Sequence, residues 1–329
     1  MNYDIYDVEV DWHINDFCNF ECIYCLDKKD KKSCFIGPKD IDKVVNNFNK
    51  TGLTWLIGFT GGEPFFVPDF VKLCDKLCRQ HIVSINTNLS HKDIFRFAET
   101  IKPEKVSSIH CSLHIEERER LNLVQDFIGK YQILQKKGFC VFASYLMYPY
   151  LINRFENDYN YFKSKGIILW PKVFKGMCTR FKLMDSRFFK KIMPFFSHLY
   201  PNAYSKQEQE KIKSYIERSQ SDSNSNITQD ENLQRLKLSD IWFDRFCIQG
   251  LPDFKGRYCN AGSKFVIMTS MGDIYRCYGD KQYLGNLYDG QINLFDAPKK
   301  CSGEICRCAS MGYKYVLESN EESKILCQI

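Results

Sequence analysis

Short apolar runs alternate with amphipathic stretches through the first half of the chain, which predicts strand and helix units repeated around a mostly parallel sheet. Six runs read as strands, at residues 8–14, 54–59, 81–86, 106–113, 139–147 and 167–173, and six suffice for an open barrel. Pro38 and Asp40 open a helix that runs to Lys50 with Ile41, Val44, Val45 and Phe48 on one stripe. Pro68 opens a second, with Phe70, Val71, Leu73, Leu77 and Cys78 at helical spacing. Residues 117–137 read as one long helix closed by Gly138, a residue type suited to the position just past a helix.

After Val173 the alternation stops, and residues 219–232 are polar and almost free of apolar side chains, as in a mobile loop or linker. Residues 264–269 and 273–278 then predict a hairpin turning at Met271 and Gly272, followed by a cysteine-dense tail. The expected organisation is a domain with its connector over residues 1–218, a linker over 219–235 and a smaller domain over 236–329.

With 329 residues, at roughly 150 per domain, this organisation is of ordinary size. A hydrophobic fraction of 44% with 26% charged residues excludes disorder, collagen-like repeats and coiled coil as the main architecture. No apolar run approaches the ~18 residues needed to span a bilayer. The first residues carry Asp4, Asp7, Glu9 and Asp11 instead of a basic then apolar leader, so the expectation is a cytoplasmic protein with no membrane partner. The net charge of +6 is scattered and hints only weakly at an anionic partner, and the 15% aromatic content has no basic stripe beside it, which argues against a nucleic-acid surface. Sixteen cysteines in a reducing compartment are better explained by metal ligation than by disulfides wherever they cluster.

Cys18, Cys22 and Cys25 stand at CX3CX2C spacing directly after the first predicted strand. A [4Fe-4S] cluster normally takes four thiolates, so three leave one iron open to a small molecule. Packed cysteines, or a zinc site completed by His13 or Cys34, are the alternatives. After the second strand comes Thr60-Gly61-Gly62-Glu63-Pro64, where two glycines would admit a ligand close to the backbone and Glu63 offers a carboxylate to an ammonium group.

Together these motifs resemble the radical S-adenosylmethionine (SAM) superfamily, over roughly residues 8–175. The resemblance implies an α/β fold, a partial (β/α)6 TIM-like barrel, with a [4Fe-4S] cluster on Cys18, Cys22 and Cys25 whose open iron is chelated by SAM. It also implies an aromatic residue before the third cysteine, here Tyr24, and a SAM amino-group site at Gly61, Gly62, Glu63 and Pro64. Thr87, Asn88 and Ser112, at strand ends on the rim where parallel barrels place their sites, are candidates for the SAM ribose and carboxylate. Capping and turn formation compete as their role. His114 is held as a substrate contact, and Tyr145 and Met147 as core residues.

Cys259 and Cys277 flank the hairpin that turns at Gly272, with Gly285 and Asn286 after it and then Cys301, Cys306 and Cys308. This resembles the SPASM and twitch extensions of radical SAM enzymes, small β-hairpin domains that bind auxiliary [4Fe-4S] clusters. The tail departs from the full SPASM pattern, since CX4CXC with only Cys327 beyond, even adding Cys247, is too few thiolates for two clusters. One auxiliary cluster is expected, on Cys259, Cys277 and two of Cys301, Cys306 and Cys308, with Cys306 and Cys308 the first choice of pair. A zinc ribbon on the same cysteines is the alternative. Cys34, Cys74, Cys78, Cys111, Cys140 and Cys178 read as small packed hydrophobes.

The resemblance implies an enzyme that reductively cleaves SAM to a 5′-deoxyadenosyl radical and takes a substrate hydrogen, with the auxiliary cluster accepting an electron. The expected activity is an oxidoreductase that oxidises or cross-links a peptide or protein side chain, of the peptide maturase type, served by a reductant such as flavodoxin or ferredoxin. The alternatives are a dehydrogenase of a sugar or cyclitol small molecule and a non-catalytic iron-sulfur or zinc interaction protein.

Overall fold

The computed structural model describes residues 5–25, 37–179, 197–224, 244–306 and 316–317. Cys34, Cys308 and Cys327 lie outside the described residues, as does most of the polar segment over 219–235.

The six expected strands form, as β1 (Val8–Asn15), β2 (Trp55–Gly61), β3 (Ile82–Thr87), β4 (Val106–Ser112), β5 (Val141–Met147) and β6 (Leu169–Val173). They pair in parallel in sequence order, each with the next. Helices α1 (Ile41–Asn49), α2 (Phe70–Leu77) and α3 (Asp93–Thr100) make the first crossovers. Asp40 caps α1 by accepting the Lys43 amide at 2.9 Å, and Val44, Val45 and Phe48 are buried on the predicted stripe. Trp12, Trp55, Phe48, Phe59 and Phe70 fill the space between sheet and helices.

The single helix expected over 117–137 is two, α4 (Ile115–Arg120) and α5 (Val124–Lys136). Asn122 adopts a left-handed φ of 54°, and the Leu123 amide turns back to the Arg118 carbonyl at 2.8 Å, which closes α4. Gly138 stands just past α5 with φ 87°, as its position predicts.

Among the described residues, the remaining α-helices are α6 (Phe155–Lys163), α7 (Lys206–Asn224) and α8 (Asp244–Cys247). Residues 219–224, expected in a loop, belong to α7. Buried Ser219 donates to the Leu169 carbonyl at 2.8 Å, and Asp222 accepts from Tyr159 and Lys163, so the polar run is docked on β6 and α6.

Beyond the short pairs β7 (Met177–Thr179) with β8 (Ser197–Leu199) and β9 (Tyr258–Cys259) with β13 (Lys299–Lys300), the C-terminal part supplies β10 (Phe265–Met268), β11 (Asp273–Tyr275) and β12 (Tyr283–Asn286). β10 and β11 are the predicted hairpin. The hairpin, expected in a domain of its own, extends the barrel's sheet: β10 runs parallel to β1, with Glu9 opposite Phe265 and Trp12 opposite Met268. The sheet order is β12-β11-β10-β1-β2-β3-β4-β5-β6. All four residues of β10 are buried, so this strand is covered on both faces like its parallel neighbours. Asn47 of α1 donates to the Leu287 carbonyl at 2.8 Å, and Tyr278 donates to Asp11 at 2.7 Å, which ties the two parts of the chain further. Among the described residues, no helix is long and apolar enough to cross a membrane.

Candidate active site

The loop carrying Cys18, Cys22 and Cys25 leaves the C-terminal end of β1 and lies over the ends of β2, β3 and β4. Its anchors come from those neighbours. Glu63 donates its amide to the Phe17 carbonyl at 2.7 Å, Asn88 donates its side-chain Nδ2 to Cys18 Sγ at 3.6 Å, and Glu117 of α4 accepts the Glu21 amide at 2.8 Å. The three thiols lie within electrostatic reach of one another. Burial pushes the Cys18 thiol up to about 11 and that of Cys22 higher still. Thiols this reluctant to ionise hold their protons until a metal displaces them.

Gly61 and Gly62 owe their identity to the chain's own backbone. A Cβ on Gly62 would lie 1.9 Å from the Phe17 carbonyl oxygen, and one on Gly61 would lie 2.5 Å from that of Asn15, at a φ of 110°. The close approach they permit is therefore the crossing of the cluster loop over the end of β2. Pro64 opens the short 3-10 turn that follows.

Glu63 is 1% exposed, and its carboxylate accepts from Thr87 Oγ1 at 2.6 Å, the Asn88 amide at 2.6 Å and the Phe65 amide at 3.3 Å. Burial raises its carboxyl to about 7 against the pull of these donors. Expected as a partner for a ligand's ammonium, Glu63 has its oxygens already engaged in joining β2 to the end of β3. Thr87 is spent in the same way, since its hydroxyl donates to Glu63 and accepts from the Leu89 amide at 3.0 Å.

Tyr24 reaches His114 at the end of β4, hydroxyl to Nδ1 at 3.0 Å, and packs on Tyr148 with ring centroids 5.2 Å apart. Burial, reinforced by Arg118, drives the His114 imidazole down to about 3, so it is neutral at physiological pH. Ser112 ends β4 half-buried on the same rim. Tyr145 and Met147 are core residues as expected, with the Tyr145 hydroxyl donating to Asp158 at 2.7 Å.

Arg118 and Glu117 were invisible to the sequence pattern, which placed both on an ordinary helix. Arg118 is fully buried, donates to the Leu113 carbonyl at 2.6 Å and to the Asn88 carbonyl, and stacks on Phe20 and Phe127 at 5.3 and 4.2 Å. One of its terminal nitrogens has no partner among the described residues. A charged side chain in the middle of the polar run 116–120 gives no signal of this kind in sequence.

The second thiol set assembles from separate segments of the C-terminal part, with Cys259 in β9 and Cys247 at the end of α8. Cys259 lies within electrostatic reach of Cys277 and Cys301, and Cys277 and Cys247 of Cys306. The Ala261 amide donates to Cys259 Sγ at 3.4 Å and the Asp280 amide to Cys277 Sγ at 3.2 Å, the kind of hydrogen bond a thiolate favours. Gly279 and Gly303 bring the Cys277 and Cys301 turns together: a Cβ on Gly303 would be 3.3 Å from the Gly279 carbonyl oxygen. Cys301 thus stands with Cys259 and Cys277. Among the described residues, no three His, Cys, Asp or Glu close tightly enough to cage a single metal ion. A four-iron cube spaces its thiolates more widely than one ion does, and both sets are built of sulfur alone. Tyr275 pairs with Ile267, which pairs with Asp11 of β1, so the hairpin that leads to Cys277 lies beside β1.

Residues 12–153 match the family model described as the radical SAM superfamily. The chain carries a radical SAM domain. Curated relatives include GTP 3′,8-cyclase of Haemophilus influenzae, 31% identical over 109 residues that span 30% of this chain and 31% of the relative. The enzyme of the same name from Mannheimia succiniciproducens is 29% identical over 109 residues, 30% of this chain and 31% of its own. The matched segment is about a third of the length of each. Among solved structures, native anSMEcpe with bound AdoMet superposes with a TM-score of 0.55 at 15% identity, over 96% of this chain and 85% of that one. A structure of the same protein with AdoMet and the Kp18Cys peptide gives 0.55 at 16% identity, over 86% and 77%. SuiB of Streptococcus suis bound to S-adenosylmethionine gives 0.52 at 12% identity, over 87% and 64%. The radical SAM domain implies a [4Fe-4S] cluster and SAM. The thiolate-only donor set on the cluster loop, with sulfur-directed N–H groups around it, fits the cluster.

Proposed function

We propose that this protein is a radical SAM oxidoreductase with one auxiliary [4Fe-4S] cluster, acting on a peptide or protein side chain. The observation that carries the reading is the second thiol set, Cys259, Cys277, Cys301 and Cys306, on the segment that joins the barrel's sheet. Four thiolates would close every iron of a cluster and leave no position for a ligand. Electron transfer is the role left to it, and an oxidised product follows.

When bound, the first cluster and SAM supply a radical able to take hydrogen from an unactivated C–H bond. The chain's own residues would do the rest. Cys18, Cys22 and Cys25 would hold the cluster, while Gly61, Gly62, Glu63 and Pro64 with Thr87, Asn88 and Ser112 shape the rim against which SAM lies. Tyr24, His114 and Tyr148 line its aromatic side and exclude water. A peptide substrate is supported by the solved neighbour that holds AdoMet together with a peptide. A reductant such as flavodoxin or ferredoxin would deliver the electron. A second reading, a purine nucleotide as substrate, is favoured by the printed activity of the curated relatives.

The test is iron content and SAM turnover after anaerobic reconstitution. About eight irons per chain are expected for two clusters. Changing Cys18, Cys22 and Cys25 to Ala should remove half of the iron and all SAM cleavage, whereas changing Cys259 and Cys277 to Ala should remove the other half and leave SAM cleavage in strong reductant. Iron near four in the parent would sink the auxiliary cluster. Consumption of GTP by the reduced protein would replace the peptide reading with the nucleotide one.

A further inference from the structure

The peptide unit of Asn88 is held between two buried ionisable side chains. Its N–H donates to the Glu63 carboxylate at 2.6 Å, and its C=O accepts from the Arg118 guanidinium. Both are almost wholly out of solvent, at 1% and 0% exposure. The side chain is fixed as well. Oδ1 accepts the Ser90 amide at 2.9 Å, which identifies the other atom of the carboxamide as the nitrogen, and Nδ2 donates to Asn19 Oδ1 at 3.0 Å and to Cys18 Sγ at 3.6 Å. Asn19, from inside the CX3CX2C loop, is bonded in turn to Ser90 at 2.9 Å.

We propose that Asn88 is a positioning residue whose carboxamide, clamped through its backbone by Glu63 and Arg118, raises the reduction potential of the cluster bound by Cys18, Cys22 and Cys25. The inference rests on the reading of that loop as a cluster site and deepens it. It gives Asn88 a contact to a cluster sulfur beside its place on the rim. On reduction one electron enters from a low-potential one-electron donor, no bond forms or breaks, and no proton moves. The ligand sulfurs become more electron-rich. An N–H aimed at one of them stabilises the reduced form, and hydrogen bonds to sulfur are among the protein's main controls on such potentials. A donor on a free rotamer would give this up in part to water. Here hydrogen bonds to Glu63 and Arg118 hold the backbone and two amide contacts hold the side chain, so the N–H needs no reorganisation when the electron arrives.

The experiment is a reductive titration of reconstituted, SAM-free protein followed by the electron paramagnetic resonance signal of the reduced cluster, in the parent, Asn88→Leu and Asn88→Ser. To isolate the first cluster, all three carry Cys259→Ala and Cys277→Ala. Leu fills the carboxamide's volume without a donor, and Ser is too short to reach Cys18, so the test survives if either variant fails to hold iron. The expected result is unchanged iron with a midpoint shifted to more negative potential. Loss of an exchangeable-proton coupling that the parent shows before transfer to deuterated buffer should accompany it. Full iron with an unshifted midpoint and an unchanged coupling would overturn the role of Asn88. A parent that binds no iron at Cys18, Cys22 and Cys25 would instead overturn the cluster reading on which it stands.

Discussion

Gly62 and Phe17 are in contact where a side chain has no room: a Cβ on Gly62 would sit 1.9 Å from the Phe17 carbonyl oxygen, one residue before the first cysteine of the cluster loop. That oxygen also accepts the Glu63 amide at 2.7 Å. Gly62→Ala therefore has to push the cluster loop off the end of β2. The expected outcome is loss of the first cluster's share of iron, about half of the total for two clusters, with the far-ultraviolet circular dichroism of the barrel retained. A Gly62→Ala protein with full iron and the parent's cluster spectrum would show that the loop has slack which this contact denies.

His81 joins the starts of β2 and β3 as a neutral ring. Its Nδ1 accepts the Trp55 amide at 3.3 Å, which leaves the proton on Nε2 to donate to Asn49 Oδ1 at 3.0 Å. Burial lowers its pKa from 6.5 to about 4. The unfolded chain then binds a proton that the fold refuses, so the stability from this group is complete above 6.5 and is lost as pH falls through the window to 4. On the order of 1–3 kcal/mol is at stake. Denaturant unfolding of metal-free protein should show this slope between pH 4 and 6.5, and His81→Gln should flatten it. An equally steep slope in the variant would assign it elsewhere.

The proposed ligand set rests on Cys301 lying within electrostatic reach of Cys259, and Cys306 within reach of Cys277. Cys301→Ser and Cys306→Ser should each lower the second cluster's iron, while Cys308→Ser should leave it in place. Iron lost on Cys308→Ser and kept on Cys301→Ser would restore the pair Cys306 and Cys308 that spacing alone favours.

Asn47 of α1 holds the C-terminal segment to the barrel through the Leu287 carbonyl at 2.8 Å, and it is buried. Asn47→Ala leaves that carbonyl without its donor and should cost about 1–3 kcal/mol. The same variant should speed proteolysis after residue 287, with β1 to β6 remaining intact. Unchanged stability with unchanged cleavage would mean that β10 against β1 suffices to hold the segment.

What the sequence determined by itself is local. Strand periodicity, the Asp40 cap, Gly138 past its helix, the Gly272 turn and the cysteine spacing are each set by residues within a turn or two of one another, and each reappears in the structure. Six apolar runs returned by helices left little choice but parallel pairing in order. Tertiary structure decided whatever depended on partners far along the chain. Asn88 meets Cys18 across 70 residues and Asn47 meets Leu287 across 240, and neither contact leaves a periodic mark. The hairpin was legible as a hairpin, but its place beside β1 was not. An apolar strand covered on both faces reads the same in a separate small sheet as at the edge of a large one. Buried charge was the least legible of all. Glu63 and Arg118 look like any acid and base in sequence, and only folding shows that the peptide of Asn88 lies between them, because a charge leaves water only where specific dipoles replace it.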